Sequence, residues 1–314
     1  LELHRGTLTT HGLVKKQNRK LEWKLRSVEM LWSCIDMDKY PAKELDALWK
    51  KLLINQFHDI IPGSSINLVY QTTHKEYEEI HRGCDDLIDD SAKLLFDKDP
   101  DAFVLVNTLS YRWEGMVDVP ESFCGYEILD ENGDNLQIQL NGEKTEAYVS
   151  LDPLSYSTFK KGEKSNLENS MDQGFILENE LIRYEFNDKG QMISAFDKEV
   201  KKEVLEGTGN VLSLYEDRPN NWDAWDIDFF YRDALLETAS VSGKPSKSSG
   251  TISKQIQFTF RIGNSTVLQK IALKPQSKRI DFQTMVDWKE KHKMLRVHFP
   301  VSVRSEQATF DIQY

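Results

Sequence analysis

The sequence is poor in cysteine. Its 314 residues hold three, Cys34, Cys84 and Cys124, widely spaced and odd in number. With no CxxC pair, neither a disulfide framework nor a thiolate metal knuckle organises the chain, and a reducing, cytoplasmic compartment is expected. Long apolar runs are missing too. None approaches the roughly 20 residues of a membrane span, so no membrane partner is expected. Basic charge is in deficit: 40 Lys plus Arg against 51 Asp plus Glu leave a net charge of −11. That balance argues against nucleic acid or anionic lipid as a main partner. Histidines number seven, and no HxH, HxxxH or HExxH sets two of them on one turn. The first residue is not Met, and LELHRGTLTT has neither the basic start nor the apolar stretch of a signal peptide. The last residues, ATFDIQY, read as a strand with nothing after it. Both ends read as cut, so the chain is expected to be a piece of something longer.

What is present is enough for a real core, with 39% hydrophobic and 11% aromatic residues. Residues from about 10 to 95 carry helical periodicity. Leu21, Leu25, Val28, Trp32 and Ile35 fall on one face. Pro41 opens a second helix, which carries Leu45, Leu48, Trp49, Leu52, Leu53 and Gln56. Pro62-Gly63 breaks the pattern. Ser64 or Ser65 is expected to cap a third helix bearing Val69, Tyr77, Ile80, Cys84 and Leu87. Three amphipathic helices with short connections predict an up-down-up bundle over residues 1–98.

From Asp99-Pro100 the period changes. Runs such as YEIL, LQIQL, EAYVSL, IRYEF, QIQFTFRI, TVLQKIAL, RIDFQTMVDW and LRVHFPVSV alternate. Asn132-Gly133, Asn141-Gly142, Lys189-Gly190 and Gly263-Asn264 punctuate them as turns. The reading is a large antiparallel β-sandwich over 99–314, truncated at its C-terminal side. KKGEKSNLENSMDQG (160–174) is expected to be a polar linker or long loop, and SVSGKPSKSSGTIS (240–253) a flexible tip or loop.

Three constellations carry chemistry. In NQFHDIIPGSSI (55–66), His58 and Asp59 stand together where the second helix stops. Imidazole and carboxylate suit a zinc ligand and its partner, or simply a polar helix end. No further ligand pair lies near them, so spacing alone does not complete a metal site. In DRPNNWDAWDIDFFY (217–231), Trp222 and Trp225 alternate with Asp217, Asp223, Asp226 and Asp228. Aromatic faces beside carboxylates suit a sugar, whose C–H face stacks while its hydroxyls bond to the acids. The same tryptophans could plug a seam between domains. In HRGTLTTHG (4–12), His4 and Arg5 either edge a pocket or form the solvated entry to the first helix.

Together these stretches are specific. NQFHDIIPGSS resembles the motif of glycoside hydrolase family 38, the α-mannosidases, where the equivalent helix end reads QHHD or QFHD. HRGTLTTHGLVKKQNRKLE, DRPNNWDAWDIDFFY, RIDFQTMVDWKEKH and ATFDIQY are similar to the bacterial and cytosolic branch of that family, so the resemblance runs along essentially the whole chain. It implies a middle helical bundle and the β region after it, with the N-terminal catalytic domain as an absent partner. It implies one zinc ion per full-length active site, retaining hydrolysis of mannose-containing oligosaccharides, and no catalytic carboxylate within this chain. His58 matches the family's bundle ligand to the metal. Asp59 matches a residue that bonds the sugar hydroxyls near it. Trp222, Asp223 and Trp225 match a loop sent back to the active site, and His4 and Arg5 match a segment bordering the pocket. Linkage preference and oligomeric state, including assembly as a homo-oligomer, are left open. The competing readings are a non-catalytic carbohydrate-binding module and a structural scaffold.

Overall fold

The computed structural model of the chain describes residues 4–141, 144–165 and 174–309. It opens with three helices, α1 (Gly12–Ser33), α2 (Ala42–Asn55) and α3 (Asn67–Leu95). Leu21, Leu25, Val28 and Trp32 are buried on one stripe of α1, as their spacing requires. They meet Leu45 and Leu52 of α2 and Tyr77, Ile80 and Cys84 of α3 in one core. Trp32 keeps its polar atom satisfied there, because Nε1 donates to the Leu87 carbonyl at 2.9 Å. Leu53 is not part of the stripe and is exposed, since the helical period turns it off the core face. Pro41 stands at the N-cap of α2. The expected serine cap of α3 is absent: Ile66 occupies the N-cap position, and Ser64 and Ser65 bond elsewhere.

After α3 the chain is antiparallel β throughout the described residues, in several sheets around two cores. One sheet pairs Ala102–Asn107, Ser155–Lys164 and Tyr126–Leu129; its neighbour pairs Trp113–Asp118, Lys144–Leu151 and Ile138–Asn141. Phe123, Ile128, Ala147, Val149 and Phe159 fill the space between them. The larger core lies among Ile182–Phe186, Val211–Glu216, Lys254–Ile262 and Ser265–Leu273. Its longest hairpin alternates buried and partly exposed residues along both strands, the period of a sheet with one covered face. This is the expected architecture, a three-helix bundle followed by a sandwich-type β region.

Two readings of polar segments are corrected. Residues 160–164 of the expected linker complete the strand Ser155–Lys164, because that edge is taken up by pairing with Tyr126–Leu129. Residues 166–173 lie outside the described residues, as do the turn glycine Gly142 and most of ATFDIQY. SVSGKPSKSSGTIS is not a free tip: Ser240–Val241 and Ser246–Ser249 both pair with Lys254–Ile262.

The end of that segment joins the two β cores. Gln139 is 3% exposed. Its Oε1 accepts from Ile252 N at 3.1 Å and Ser253 N at 2.9 Å, while its Nε2 donates to Ser253 Oγ at 2.8 Å. Replacing Gln139 with Leu keeps the volume and strands two buried N–H groups, at about 1–3 kcal/mol each. Urea denaturation of Gln139→Leu followed by tryptophan fluorescence is expected to show a loss of about 2–6 kcal/mol.

Candidate functional site

The helix α2 stops at Asn55, and Gln56 closes it with an N–H bond to the Leu53 carbonyl at 3.1 Å. Both amides face inward. Asn55 Nδ2 reaches Glu76 Oε2 on α3 at 2.7 Å; Gln56 Nε2 reaches Glu22 Oε1 at 2.9 Å and Asn18 Oδ1 at 3.2 Å on α1. The backbone tightens where these amides meet their partners. Phe57 then starts a separate turn, with its carbonyl accepting from Ile60 and Ile61. His58 and Asp59 therefore sit in a turn beyond the helix, not on its last turn as expected.

That turn is pinned from within. Ser65 Oγ donates to the Asp59 carbonyl at 2.6 Å, and Ser64 Oγ lies 3.4 Å from Asp59 Oδ1. The buried Tyr70 hydroxyl accepts from Ser65 N at 2.9 Å and donates to the Ile60 carbonyl at 3.3 Å. The two candidate groups face outward, with side chains 76% and 51% exposed. His58 Nε2 stands 3.6 Å from Asp59 Oδ2. The imidazole also packs against the Phe57 ring at 4.1 Å.

Residues 4–12 connect this turn to the Trp/Asp loop. Gly6 N donates to the Trp225 carbonyl at 2.8 Å, and the His4 ring meets the Trp225 ring edge-on at 5.2 Å. A Cβ on Gly6 would lie 3.1 Å from that carbonyl, so glycine permits the approach. Thr10 Oγ1 shares its proton between the Gly6 carbonyl at 2.8 Å and the Ala224 carbonyl at 3.1 Å. On its other side Thr10 touches Gly63, where φ is +101° and a Cβ would fall 2.6 Å from Thr10 Cγ2. Lys15 fastens the joint. Its Nζ donates to the Ile61 carbonyl at 2.7 Å, to the Pro62 carbonyl at 3.1 Å and to the Thr10 carbonyl. Burial pushes this ammonium down to about 8. His11 stacks on Tyr70 at 3.8 Å, and burial lowers its pKa, with the Lys15 and His74 charges adding to the effect.

The Trp/Asp loop is the tip of the hairpin formed by Val211–Glu216 and Leu235–Thr238. The Trp222 carbonyl accepts from Trp225 N at 2.7 Å and Asp226 N at 2.9 Å, which folds the tip into a tight turn. Trp222 holds a left-handed φ of +60° and is 70% exposed. A large side chain in that region is uncommon and costs energy, so it is held by the turn around it. Asp223 is exposed beside it. Burial raises the pKa of Asp217 and the Asp223 charge raises it further; His292 opposes them, and Asp228 adds the least.

The structure thus brings His4, Arg5, Trp222, Asp223 and Trp225 into one region and joins it, through Thr10 and Lys15, to the turn of His58 and Asp59. Sequence reasoning missed Thr10, Lys15 and Tyr70. Nothing in the sequence separates Lys15 from Lys16; only the fold turns it toward the Pro62 turn. Among the described residues, no group of three His, Cys, Asp or Glu side chains gathers into a metal site. Zinc takes three or four protein ligands. The donors fit one open contribution to such a site, an outward imidazole braced by a carboxylate, and do not fit a complete cage.

Two family profiles match separate segments of the chain. The profile described as "Alpha mannosidase middle domain" matches residues 2–95, and "Glycosyl hydrolases family 38 C-terminal domain" matches residues 177–314. Human Alpha-mannosidase 2C1 is 30% identical over 325 residues, covering all of this chain and 30% of that protein. The mouse Alpha-mannosidase 2C1 is 31% identical, again over all of this chain and 30% of that protein. Alpha-mannosidase G of Dictyostelium discoideum is 27% identical, over all of this chain and 33% of that protein. The chain spans about a third of the length of these relatives. The crystal structure of an alpha-mannosidase from Enterococcus faecalis V583 superposes with a TM-score of 0.72 at 17% identity, over 96% of this chain and 44% of that one. It shares the fold.

Substituting Lys15 with Met leaves three carbonyls without their donor and is expected to cost about 1–3 kcal/mol. The folded pKa lies below the unfolded one, so the unfolded chain holds the extra proton above about pH 8. Rising pH between about 8 and 10 therefore favours the folded wild type. Denaturation of both proteins across that range is expected to show wild type gaining on Lys15→Met as pH rises.

Proposed function

Since the chain belongs to glycoside hydrolase family 38, we propose that it forms one wall of the active site of a zinc-dependent α-mannosidase that hydrolyses terminal α-mannosidic bonds of glycans. The observation that carries this reading is the joint at Thr10, which holds the Trp/Asp loop and the His58–Asp59 turn to one segment. We read residues 1–98 as the bundle unit and 99–314 as the β unit. The nucleophile and the acid/base carboxylate lie outside residues 1–314, in an N-terminal catalytic domain. Cytoplasmic placement belongs to the same proposal and rests on three free, dispersed cysteines. Among the described residues no helix is long and apolar enough to cross a membrane.

Each residue has a role in this reading. His58 offers a neutral imidazole to the metal, and Asp59 accepts hydrogen bonds from the hydroxyls of the same sugar. Zinc, when bound, supplies Lewis-acid polarisation and a template for those hydroxyls. Trp222 and Trp225 present aromatic faces to the C–H face of a sugar, with Asp223 beside them for hydroxyls. His4 and Arg5 border the same pocket behind Trp225. The chemistry is retaining hydrolysis, in which one carboxylate attacks the anomeric carbon while a carboxylic acid protonates the leaving oxygen.

In the longer enzyme, His58→Ala is expected to lower bound zinc and aryl α-mannoside hydrolysis together, by ~10–100-fold or more. Full activity with full zinc content would sink the assignment. Trp222 is exposed and strained, so Trp222→Ala is expected to change stability by less than about 0.5 kcal/mol. Loss of a stacking face is expected to weaken mannoside affinity ~10-fold. Calorimetry on both proteins separates the two effects. Tight sugar binding by residues 1–314 without any metal favours the carbohydrate-binding module instead.

A further inference from the structure

The stripe that α1 turns into the bundle is apolar except at one place. Val14, Leu21, Leu25, Val28 and Trp32 are buried on it, and Asn18 stands among them. α2 repeats the exception at Asn55, its last residue. Polar groups inside a bundle are costly unless their bonds are made, and their best-attested use is to fix how helices register against one another. Here the bonds centre on Glu22 of α1. Its Oε1 accepts from Gln56 Nε2 at 2.9 Å and from Asn18 Nδ2 at 3.1 Å, and its Oε2 accepts from the Arg19 guanidinium at 3.1 Å. Asn18 Oδ1 accepts from the same Gln56 amide at 3.2 Å, so Gln56 spends both amide protons on α1. Glu76 of α3 closes the other side by accepting from Asn55 Nδ2 at 2.7 Å. Burial raises the pKa of the Tyr77 phenol, and the Glu22 and Glu76 charges raise it further, so the two carboxylates act on one buried hydroxyl.

We propose that Glu22 is a positioning residue: through Gln56 it fixes where α2 stops, and so holds the His58–Asp59 turn in the direction that metal and sugar require. The role in hydrolysis rests on the α-mannosidase reading; the hold on the turn does not. Gln56 closes α2 with its backbone N–H on the Leu53 carbonyl while its side chain grips α1, so the residue that ends one helix is anchored on another. Phe57 comes next, and its carbonyl accepts from Ile60 and Ile61 to make the turn. An apolar pair at positions 22 and 56 would pack without cost to the bundle, yet smooth surfaces slide and prefer no register. A reacting group displaced by ~1 Å loses ~100-fold in rate, so a fixed register matters more to the site than to the core.

The test has two arms. In the 314-residue chain, hydrogen exchange of the Ile60 and Ile61 amides is compared among wild type, Glu22→Leu, which removes the acceptor, and Glu22→Gln, which keeps an oxygen in its place. Exchange is expected to quicken ~10-fold or more in Glu22→Leu and to stay near wild type in Glu22→Gln, with circular dichroism unchanged. Unchanged exchange in Glu22→Leu overturns the hold on the turn, whatever the enzyme does. In the longer enzyme, bound zinc and kcat/KM on an aryl α-mannoside are expected to fall ~10–100-fold in Glu22→Leu and to return in Glu22→Gln. A folded Glu22→Leu that keeps both, while His58→Ala loses both, overturns the role in hydrolysis and leaves the α-mannosidase reading standing. A His58→Ala that keeps both overturns that reading, and the exchange arm still decides the hold on the turn. Where Glu22→Leu does not fold, Gln56→Glu replaces it in both arms. That variant keeps the side-chain length and sets two carboxylates face to face, and combining it with Glu22→Gln is expected to restore what it loses.

Discussion

The ammonium of Lys15, donating to carbonyls from two separate segments, is the constraint on which the candidate site depends. Carbonyls at the turn 61–62 and at Thr10 have no partner in a helix or a sheet. An ammonium carries three donors and no acceptor, so it satisfies three carbonyls at once where no neutral side chain could. The cost is partial loss of hydration, visible in a pKa drawn down to about 8. At neutral pH the group still holds its proton and all three donors. With that joint closed, Gly63 and Thr10 come into contact, and the Thr10 hydroxyl is left to reach the Ala224 carbonyl. Thr10 thereby joins the Gly63 turn to the β loop, beside the Gly6–Trp225 hydrogen bond.

The fold was legible where one period ran long enough. The stripe from Leu21 to Trp32 and the strands Lys254–Ile262 and Ser265–Leu273 each repeat a burial pattern over several turns or pleats. Polar segments were misread for a physical reason. SYSTFKKGEK and SKSS owe their strand state to backbone pairing with a neighbour, which composition does not record. The serine cap failed similarly. Ser64 and Ser65 can cap a helix or close a turn, and the nearby Asp59 carbonyl and Tyr70 hydroxyl decided for the turn.

The site was legible by motif and not by mechanism. His58 and Asp59 stand out as a pair, and the tryptophans stand out by type. Lys15, Thr10 and Tyr70 do not, because lysine, threonine and tyrosine near a helix start are ordinary. For Lys15 and Thr10 the significance arises only when residues 46 and 214 positions apart are brought within hydrogen-bond reach. Sequence spacing on one element cannot express such a relation.

The motif NQFHD also divides by direction, and the division explains how stability and chemistry coexist in five residues. Asn55 is 1% exposed, and Gln56 bonds to α1; both spend their amides inside the bundle. Phe57 and His58 project outward. An exposed imidazole and carboxylate 3.6 Å apart contribute little to stability, of the order of 0–1 kcal/mol for surface ion pairs. The fold therefore does not rely on them for its own sake. Their geometry is instead supplied by neighbours that do stabilise: the amides of 55 and 56 before the turn, and the serines and Tyr70 after it. A group held rigidly from behind while its polar atoms remain in solvent is preorganised for a ligand that arrives from outside the chain. On the reading proposed above the site is shared between domains, and the hydrogen bonds that hold this turn lie entirely within residues 55–70 and their helical neighbours.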